Sequence, residues 1–308
     1  MKIVLIGQAA FGAKALEALL ENGETVVAAY APPDRGGKAD PLKEAALKRG
    51  VAVYQPKTYR DDEVYREFTG LAPDLVVLAF VTSIIPGRFF AAAARGAICY
   101  HPSLLPRHRG ASAINWAVIM GDTRTGLTIF WPDSGIDTGP ILLQKEIEID
   151  PDDTTGSLYF NHLFPMGVEA IAESVKLIRE GSAPKIVQSG VGATYEPPCD
   201  DRVAGVDWEK TGREICNLVR GCDPQPGAYS YLRGERVRLY GAKLAAGTAG
   251  GEKSPGTICA VDAAGIHIAA PGGTLIVGKV RPDSAGKMDG AEWAKQKNIG
   301  PGDRFEAE

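Results

Sequence analysis

Residues 96–139 of the protein read GAICYHPSLLPRHRGASAINWAVIMGDTRTGLTIFWPDSGIDTG. This stretch opens with a continuous apolar run, Ala97–Tyr100, which is typical of a strand covered on both faces. His101 follows that run, and Asp137 lies in the glycine-bounded turn Ser134–Gly139. Because imidazole titrates near neutral pH and a carboxylate tunes it, a histidine and an aspartate from neighbouring loops can move protons.

Strands and helices alternate on the N-terminal side of this stretch. Further strands are predicted at Lys2–Ile6, Val26–Tyr30, Val51–Tyr54 and Leu75–Ala79. Helices are predicted between them at Ala13–Glu21, Pro41–Lys48, Asp62–Thr69 and Arg88–Ala94. The alternation predicts an α/β fold with a Rossmann-like, doubly wound, mostly parallel sheet. Since ligands bind at the carboxyl ends of the strands in such sheets, His101 lies at the expected binding edge.

The pattern changes after residue 126. Leu127–Trp131 and Ile141–Ile149 are predicted as an antiparallel addition to the sheet edge, and a long amphipathic helix runs to Gly181 with a break at Pro165. Residues 182–204, rich in Gly, Pro, Ser and Asp, are predicted to be an inter-domain linker.

A small β barrel is predicted after the linker. A short helix near Trp208–Arg220 precedes four glycine-split runs: Arg236–Tyr240, Gly256–Val261, Gly265–Ala269 and Leu275–Val280. The expected domains are therefore 1–181, which carries the site, and 205–308, joined by the linker 182–204.

Composition excludes several classes of protein. The 308 residues carry a net charge of −4, so no global basic field attracts nucleic acid. The N-terminal apolar run is too short for a signal peptide or a membrane span. Five scattered cysteines and four histidines give no metal-ligand spacing. We therefore expect a cytoplasmic protein with free thiols, no metal and no membrane association.

Other candidate residues have competing interpretations. The turn Gly7–Gly12 suits either an anion-binding helix N-terminus or a tight turn, and the turn is favoured. Arg107 and Arg109 suit an anionic substrate or a solvated charge cluster, and His108 between them is expected at the surface. Asp133, like Asp137, suits turn stabilisation or hydrogen bonding to a polar heterocycle.

Three motifs together carry a resemblance to a known family. HPSLLPRHRGA at 101–111, GLTI at 126–129 and GIDTG at 135–139 resemble the signature of the formyltransferases that use 10-formyltetrahydrofolate. Asp207-Trp208, Pro226-Gly227-Ala228 and Gly302–Phe305 are similar to the C-terminal domain of that family. The resemblance covers nearly the whole chain and implies a folate-binding Rossmann-like domain followed by an OB-like barrel.

The resemblance also implies roles for residues. The usual catalytic set is Asn-x-His with a later Asp, so the His and Asp fall on His101 and Asp137, whereas Cys99 stands at the Asn position. Losing one oxyanion donor typically costs ~10²–10³ in rate, and a thiol is a weak donor. A poorer amine formyltransferase is expected unless a backbone N–H or a water replaces the amide. A further interpretation makes Cys99 a nucleophile that carries the formyl group as a thioester.

Folate binding is expected beside this catalytic set. The donor substrate would be 10-formyltetrahydrofolate, with its pteridine against 81–86 and 133–137 and its formyl group near His101. The expected folate-binding residues are Phe80, Val81, Ile84, Ile85, Pro86, Ser103, Leu104, Arg109, Asp133, Ser134 and Gly135.

The formyl acceptor separates the remaining hypotheses. GQAAFG at 7–12, GGKADPL at 36–42 and GVGATYE at 190–196 are similar to the hydrolase-type N-terminal domain of 10-formyltetrahydrofolate dehydrogenase. That branch also lacks the Asn. From Asp201 onward there are 15 Lys and Arg against 14 Asp and Glu, and no basic stretch follows Arg35, so tRNA is not expected as a partner.

Water is thus the preferred acceptor, and the expected activity is release of tetrahydrofolate by formyl hydrolysis or transfer. Methionyl-tRNA or another amine is the alternative acceptor, and a non-catalytic folate-binding module is the second alternative. The chain ends at Glu308, so we expect that full oxidation of the formyl group needs parts outside it. The oligomeric state stays open.

Overall fold

The computed structural model describes residues 1–34, 36–245 and 253–307 of the protein. It divides into two compact units. The first consists of Met1–Gly110, Gly126–Ile147 and Phe160–Tyr195, and the second of Ala111–Thr125, Glu148–Tyr159 and Glu196–Glu308.

The first nine strands of the chain are β1 (Lys2–Gly7), β2 (Thr25–Tyr30), β3 (Ala52–Tyr54), β4 (Leu75–Ala79), β5 (Ala97–His101), β6 (Arg109–Gly110), β7 (Arg124–Phe130), β8 (Ile141–Glu148) and β9 (Tyr195–Glu196). Seven of them form the first sheet, in the order β3-β2-β1-β4-β5-β7-β8. Strands β1 to β5 pair in parallel, and β7 pairs antiparallel with β5. The predicted Rossmann-like sheet with an antiparallel addition is confirmed.

The helices of the first unit that cover this sheet are α1 (Ala9–Glu21), α2 (Pro41–Lys48), α3 (Asp62–Gly70), α4 (Gly87–Ala91) and α7 (Phe164–Glu180). The helices α5 (Ala113–Ile119) and α6 (Thr155–Leu158) belong to the second unit. Helix α1 begins four residues before the predicted start, because the glycine turn is already helical from Ala9. A π-helical turn over Tyr159–Leu163 precedes α7, and Pro165 lies in the first turn of α7, where a missing N–H leaves no bond unmade.

Apolar side chains are buried on both faces of the first sheet. Leu5 and Leu16 belong to a cluster on the face covered by α1 and α7, whereas Tyr30 and Phe68 belong to a cluster on the opposite face. Every residue of β4 is buried. This two-sided burial explains the continuous apolar runs, and it leaves only the strand ends free to carry polar chemistry.

The second sheet closes on itself. Its strands are β10 (Ala228–Leu232), β11 (Glu235–Ala245), β12 (Ile258–Asp262), β13 (Gly265–Ala270), β14 (Gly273–Pro282), β15 (Met288–Asp289) and β16 (Phe305–Glu306), and its helices are α8 (Asp201–Ala204), α9 (Gly212–Gly221) and α10 (Gly290–Gln296). The order is β12-β13-β14-β11-β10-β16, with β15 beside β14. Hydrogen bonds join the segments around the two end strands, β12 and β16: Ile258 N–H donates to Asp303 O over 2.8 Å, and Phe305 N–H donates to Gly256 O over 2.9 Å. The predicted OB-like barrel is confirmed.

Within residues 1–34, 36–245 and 253–307, no helix is both long and apolar enough to cross a bilayer.

Candidate functional site

His101 is the last residue of β5, at the carboxyl end of the parallel sheet, and it is buried. Its Nε2 atom lies 2.7 Å from the carbonyl oxygen of His108. Because a carbonyl can only accept, Nε2 carries a proton and donates this hydrogen bond. The hydrogen bond fixes the tautomer, so Nδ1 is the ring nitrogen that accepts or releases a proton.

Asp137 faces that nitrogen. Its Oδ2 atom lies 3.6 Å from His101 Nδ1 and accepts a 2.8 Å hydrogen bond from Gly110 N–H. Asp137 adopts the left-handed φ of +54°, which aspartate tolerates better than most residues. A Cβ at Gly139 would collide with the carbonyl oxygen of Trp131, so the turn that aims Asp137 needs glycine there. His101 and Asp137, which the sequence suggests as a pair, are therefore neighbours in the structure.

The first half of the same turn has a different role. Asp133 Oδ1 accepts hydrogen bonds from Gly135 N–H over 2.9 Å and from Thr138 Oγ1 over 2.6 Å. This is an Asx turn, and Asp133, Ser134 and Gly135 are exposed. Asp133 thus shapes the loop that positions Asp137, with its carboxylate at the solvent side.

Cys99 lies two residues before His101 on β5, opposite Phe130 of β7. Its thiol donates to the carbonyl oxygen of Tyr100 over 3.6 Å. Burial, with a smaller contribution from the nearby Asp137 carboxylate, raises the pKa of the Cys99 thiol. A neutral thiol is a weak nucleophile, so these surroundings disfavour the thioester interpretation.

Gln188 holds the Asp137 turn in place, and sequence reasoning missed it. Its Nε2 donates to Asp137 O over 2.8 Å and to Gly139 O over 2.7 Å, while its Oε1 accepts from Arg109 Nη2 over 2.7 Å. The Arg109 guanidinium also lies over the ring of Tyr195. Arg109 therefore contacts the residues that support Asp137. Gln188 lies 51 positions after Asp137, and no local pattern marks it.

The predicted linker runs beside the pair His101 and Asp137. Thr194 accepts the His108 N–H at Oγ1 over 2.8 Å and the Arg109 N–H at its carbonyl over 3.1 Å. Strands β6 and β9 pair, and Tyr195 Oη donates to Ile136 O over 2.8 Å. The expectation that His108 is solvated was wrong, because its left-handed φ of +54° turns the ring inward and leaves it only 3% exposed.

A cleft of about 1000 Å³ lies at the carboxyl ends of β1 to β4. Val81 and Ile84 line it, together with Lys38, Lys57 and Arg60. Of the other residues predicted to bind folate, Phe80 packs 6.3 Å from Phe11 between ring centroids, Ile85 is buried, Pro86 precedes α4, and Ser103 donates to Arg107 O over 2.7 Å. Leu104 is half-buried beside Gly126.

A carboxylate of this chain occupies the N-terminus of α1 inside the cleft. Ala9 N–H donates to Asp40 Oδ1 over 3.0 Å and to Oδ2 over 2.9 Å, and Leu42 N–H donates to Oδ1 over 2.8 Å. One side chain therefore caps two helices, α1 and α2. The glycine turn at 7–12 thus delivers an amide to Asp40, and this negative charge occupies the position that an external anion takes at a helix N-terminus.

Among residues 1–34, 36–245 and 253–307, no group of three or more His, Cys, Asp and Glu side chains is arranged to hold a metal ion.

Comparison with known families decides the assignment. Residues 1–171 match the formyl transferase family, and residues 201–298 match the formyl transferase C-terminal domain. The chain belongs to the formyl transferase family.

Two kinds of relative are similar to this formyl transferase. The mitochondrial 10-formyltetrahydrofolate dehydrogenase of Mus musculus is 44% identical over 249 residues, which are 79% of this chain and 27% of that protein. The chain therefore corresponds to about a quarter of that relative. The methionyl-tRNA formyltransferase of Geotalea uraniireducens (strain Rf4) is 35% identical over 98% of this chain and 97% of its own length.

Solved structures share the fold. An N-formyltransferase from Helicobacter canadensis, in complex with folinic acid and dTDP-3-aminofucose, has a TM-score of 0.70 at 18% identity, over 94% of this chain and all of that one. HypX from Aquifex aeolicus in complex with tetrahydrofolic acid has a TM-score of 0.65 at 20% identity, over 96% of this chain and 48% of that one. At these identities the likeness supports the formyl transferase fold alone.

Proposed function

We propose that this formyl transferase acts on 10-formyltetrahydrofolate and releases tetrahydrofolate by passing the formyl group to water. The observation that carries the proposal is the pair His101 and Asp137, with the proton of the histidine fixed on Nε2 and its Nδ1 facing a carboxylate. A group that accepts and then returns one proton is what formyl hydrolysis needs.

In the proposed mechanism, water attacks the formyl carbon while His101 Nδ1 takes a proton. A carbon–oxygen bond forms, and the carbonyl π electrons move to the oxygen as a tetrahedral intermediate appears. The imidazolium is stabilised by Asp137 Oδ2, 3.6 Å away. His101 then protonates the leaving nitrogen as the carbon–nitrogen bond breaks, which yields formate and tetrahydrofolate.

Cys99 supports water as the acceptor through the resemblance to the hydrolase-type branch, which also lacks the Asn at this position. The thiol of Cys99 donates to Tyr100 O, so this position supplies no strong donor to the oxyanion that forms with either acceptor. We propose that Cys99 keeps the site apolar beside the reacting carbon and takes no covalent part. Its raised pKa supports that role.

Asp40 supports an acceptor without a phosphate. Its carboxylate already holds the first amide of α1, so a phosphorylated acceptor in this cleft would meet a negative charge at that position. The net charge of −4 and the near-neutral C-terminal part also disfavour binding to the tRNA backbone.

We further propose the position of the folate. The pteridine would lie against Val81–Pro86 and the Asp133–Asp137 turn, with Phe80, Ser103, Leu104 and Arg109 around it and no metal involved. The three parts 1–181, 182–204 and 205–308 would serve as folate-binding domain, linker and OB-like domain.

Methionyl-tRNA formyl transfer is the second candidate. It is favoured by the 35% identity with a methionyl-tRNA formyltransferase that extends over 98% of this chain. The two candidates share the donor and differ in the acceptor, so an acceptor screen separates them.

The test is tetrahydrofolate release from 10-formyltetrahydrofolate with water alone, with a small amine, and with methionyl initiator tRNA. Hydrolysis predicts release above the uncatalysed background without any added acceptor, and no increase with tRNA. His101→Ala should abolish the release. His162→Ala is the matched control, because His162 is exposed in the π-helical turn and should leave turnover unchanged.

Each outcome decides between candidates. Release that depends on charged tRNA would establish the second candidate, and folate binding without release would establish a non-catalytic module. Near-normal turnover in His101→Ala would refute the proposed chemistry.

A further inference from the structure

Two cysteines outside the catalytic pair lie against each other in the second unit. The sulfur atoms of Cys199 and Cys222 are 3.7 Å apart, which is contact distance for two thiols. The other three cysteines each donate to a backbone carbonyl instead: Cys99 to Tyr100, Cys216 to Ala242 and Cys259 to Thr257. Among the residues that the structure describes, Cys199 and Cys222 are therefore the two cysteines whose thiols contact each other.

We propose that Cys199 and Cys222 form an oxidisable dithiol that a hydroperoxide converts into a disulfide. Cys199 is half-buried and lines a cavity of about 640 Å³ together with Ser112, Asn115 and Gln225, so a small oxidant reaches its sulfur from solvent. Cys222 is fully buried directly behind it. One thiol is therefore placed to react first, and the other to resolve the product.

The electrostatics of the pair agree with this order. The hydrogen bond between the two thiols lowers the pKa of Cys199, and the same hydrogen bond, followed by burial, raises the pKa of Cys222. Because the thiolate is the reactive form, Cys199 is the attacking sulfur. Asp200, next along the chain, opposes this effect, but Arg202 Nη2 lies 2.6 Å from its carboxylate and offsets its charge.

The reaction balances as two steps. The Cys199 thiolate attacks the peroxide, so that a sulfur–oxygen bond forms, the oxygen–oxygen bond breaks, and the departing hydroxide takes up a proton as water. The Cys222 sulfur then attacks Cys199, the sulfur–sulfur bond forms, and the sulfenic hydroxyl leaves as water with the Cys222 proton. Two thiols are oxidised by two electrons, and one hydroperoxide is reduced.

The backbone permits this closure. A disulfide requires the sulfurs to approach to about 2.05 Å. Cys222 is held at the end of α9, where its N–H donates to Leu218 O. Cys199 lies in the irregular segment between β9 and α8, where its N–H donates to Ser112 Oγ over 3.1 Å. The exposed partner can therefore move while the buried partner stays fixed, and the product would attach residues 197–200 to the end of α9.

The test treats the fully reduced protein with hydrogen peroxide, alkylates the remaining thiols in denaturant and maps the peptides by mass. Of the five cysteines, two should be consumed in one linked peptide that joins 199 to 222, leaving three alkylated, and thiol reductant should restore all five. Cys259→Ser is the matched control, because it removes a half-buried thiol away from the pair and should leave the link intact.

Variants of the pair separate the two roles. Cys222→Ala should stop the reaction at a dimedone-reactive sulfenic acid on Cys199, and Cys199→Ser should leave all four remaining thiols alkylated. Cys199→Ser alters a half-exposed side chain, so it remains a valid test if Cys222→Ala fails to fold. Five alkylated cysteines after peroxide, a link to a different cysteine, or Cys199 over-oxidised beside an alkylated Cys222 would overturn the proposal.

Discussion

Asp137→Asn removes the negative charge that faces His101 and little else. The amide oxygen of asparagine still accepts the Gly110 N–H that Asp137 Oδ2 holds at 2.8 Å, and asparagine tolerates the left-handed backbone at this position. We therefore expect the variant to fold normally and to lose stabilisation of the imidazolium that forms during formyl release.

The size of the loss follows from the geometry. Two unit charges at the observed 3.6 Å, in an effective dielectric of about 20, interact by ~4 to 5 kcal/mol. One decade in rate corresponds to about 1.4 kcal/mol, so the full interaction would be worth about three decades. Both side chains are mostly buried, at 8% and 18% exposed, so we expect kcat to fall by ~10²–10³.

The assay is the initial rate of tetrahydrofolate release over a range of 10-formyltetrahydrofolate concentrations, with unfolding in urea measured on the same preparations. The loss should appear in kcat with little change in KM, because the missing interaction belongs to the transition state. Asp62→Asn is the matched control, since it changes an exposed carboxylate of α3 that belongs to neither the Asp137 turn nor the proposed folate site, and its kcat should stay close to that of the parent. Turnover of Asp137→Asn within about threefold of the parent would refute the assigned role.

Three further substitutions test other parts of the structure. Cys99→Asn should restore an oxyanion donor and raise formyl transfer to added amine by ~10²–10³, and an unchanged amine rate would show that the position does not face the oxyanion. Asp40→Ala should lower the free energy of unfolding in urea by ~2 kcal/mol, because the N-termini of two helices, α1 and α2, lose their cap. Asp61→Ala is the control: it removes the cap of one helix and should cost ~1 kcal/mol. Equal losses in the two variants would show that Asp40 does not cap both helices. The hydrogen bond from Arg238 lowers the pKa of Asp201 in the folded state, so this pair stabilises the protein above the unfolded aspartate pKa of about 4 and loses its effect as pH falls through the lower folded pKa. The urea midpoint of Asp201→Asn should therefore differ from that of the parent at neutral pH and converge with it in acid. A difference that stays constant with pH would exclude the ion pair as the cause.

The local pattern of apolar and polar residues predicts the strands and helices of the first unit well, because neighbouring residues in the sequence determine where each of these elements begins and ends. Leu75–Ala79 is a strand with the predicted bounds, since this continuous apolar run is buried on both faces of the sheet. Pro41–Lys48 also has the predicted bounds, because Asp40 caps it and Pro41 occupies its first turn. Helix α1 was predicted to begin too late, because its cap is the carboxylate of Asp40, 31 residues away from Ala9.

The site was predictable only in part, and the reason is again distance along the chain. His101 and Asp137 carry their chemistry in residue type and turn context, so they were visible as candidates. Gln188 and Thr194 act through backbone contacts made across 51 and 86 positions, in a segment whose composition indicates only a connector. His108 was misjudged because its flanking arginines predict solvent, whereas the local backbone turns its ring inward.

The participation of residues 188–195 in the site has a consequence for cutting and recombining this chain. A fragment that stops at Gly181 would retain His101 and Asp137 but lose Gln188, which holds the Asp137 turn, and Thr194, which fixes His108 beside the imidazole. The smallest fragment with intact proton chemistry therefore extends at least through Tyr195. A protease that nicks the connector is expected to lower the proposed formyl release without touching His101 or Asp137, and a chimera that replaces the connector with a generic flexible one is expected to show the same defect.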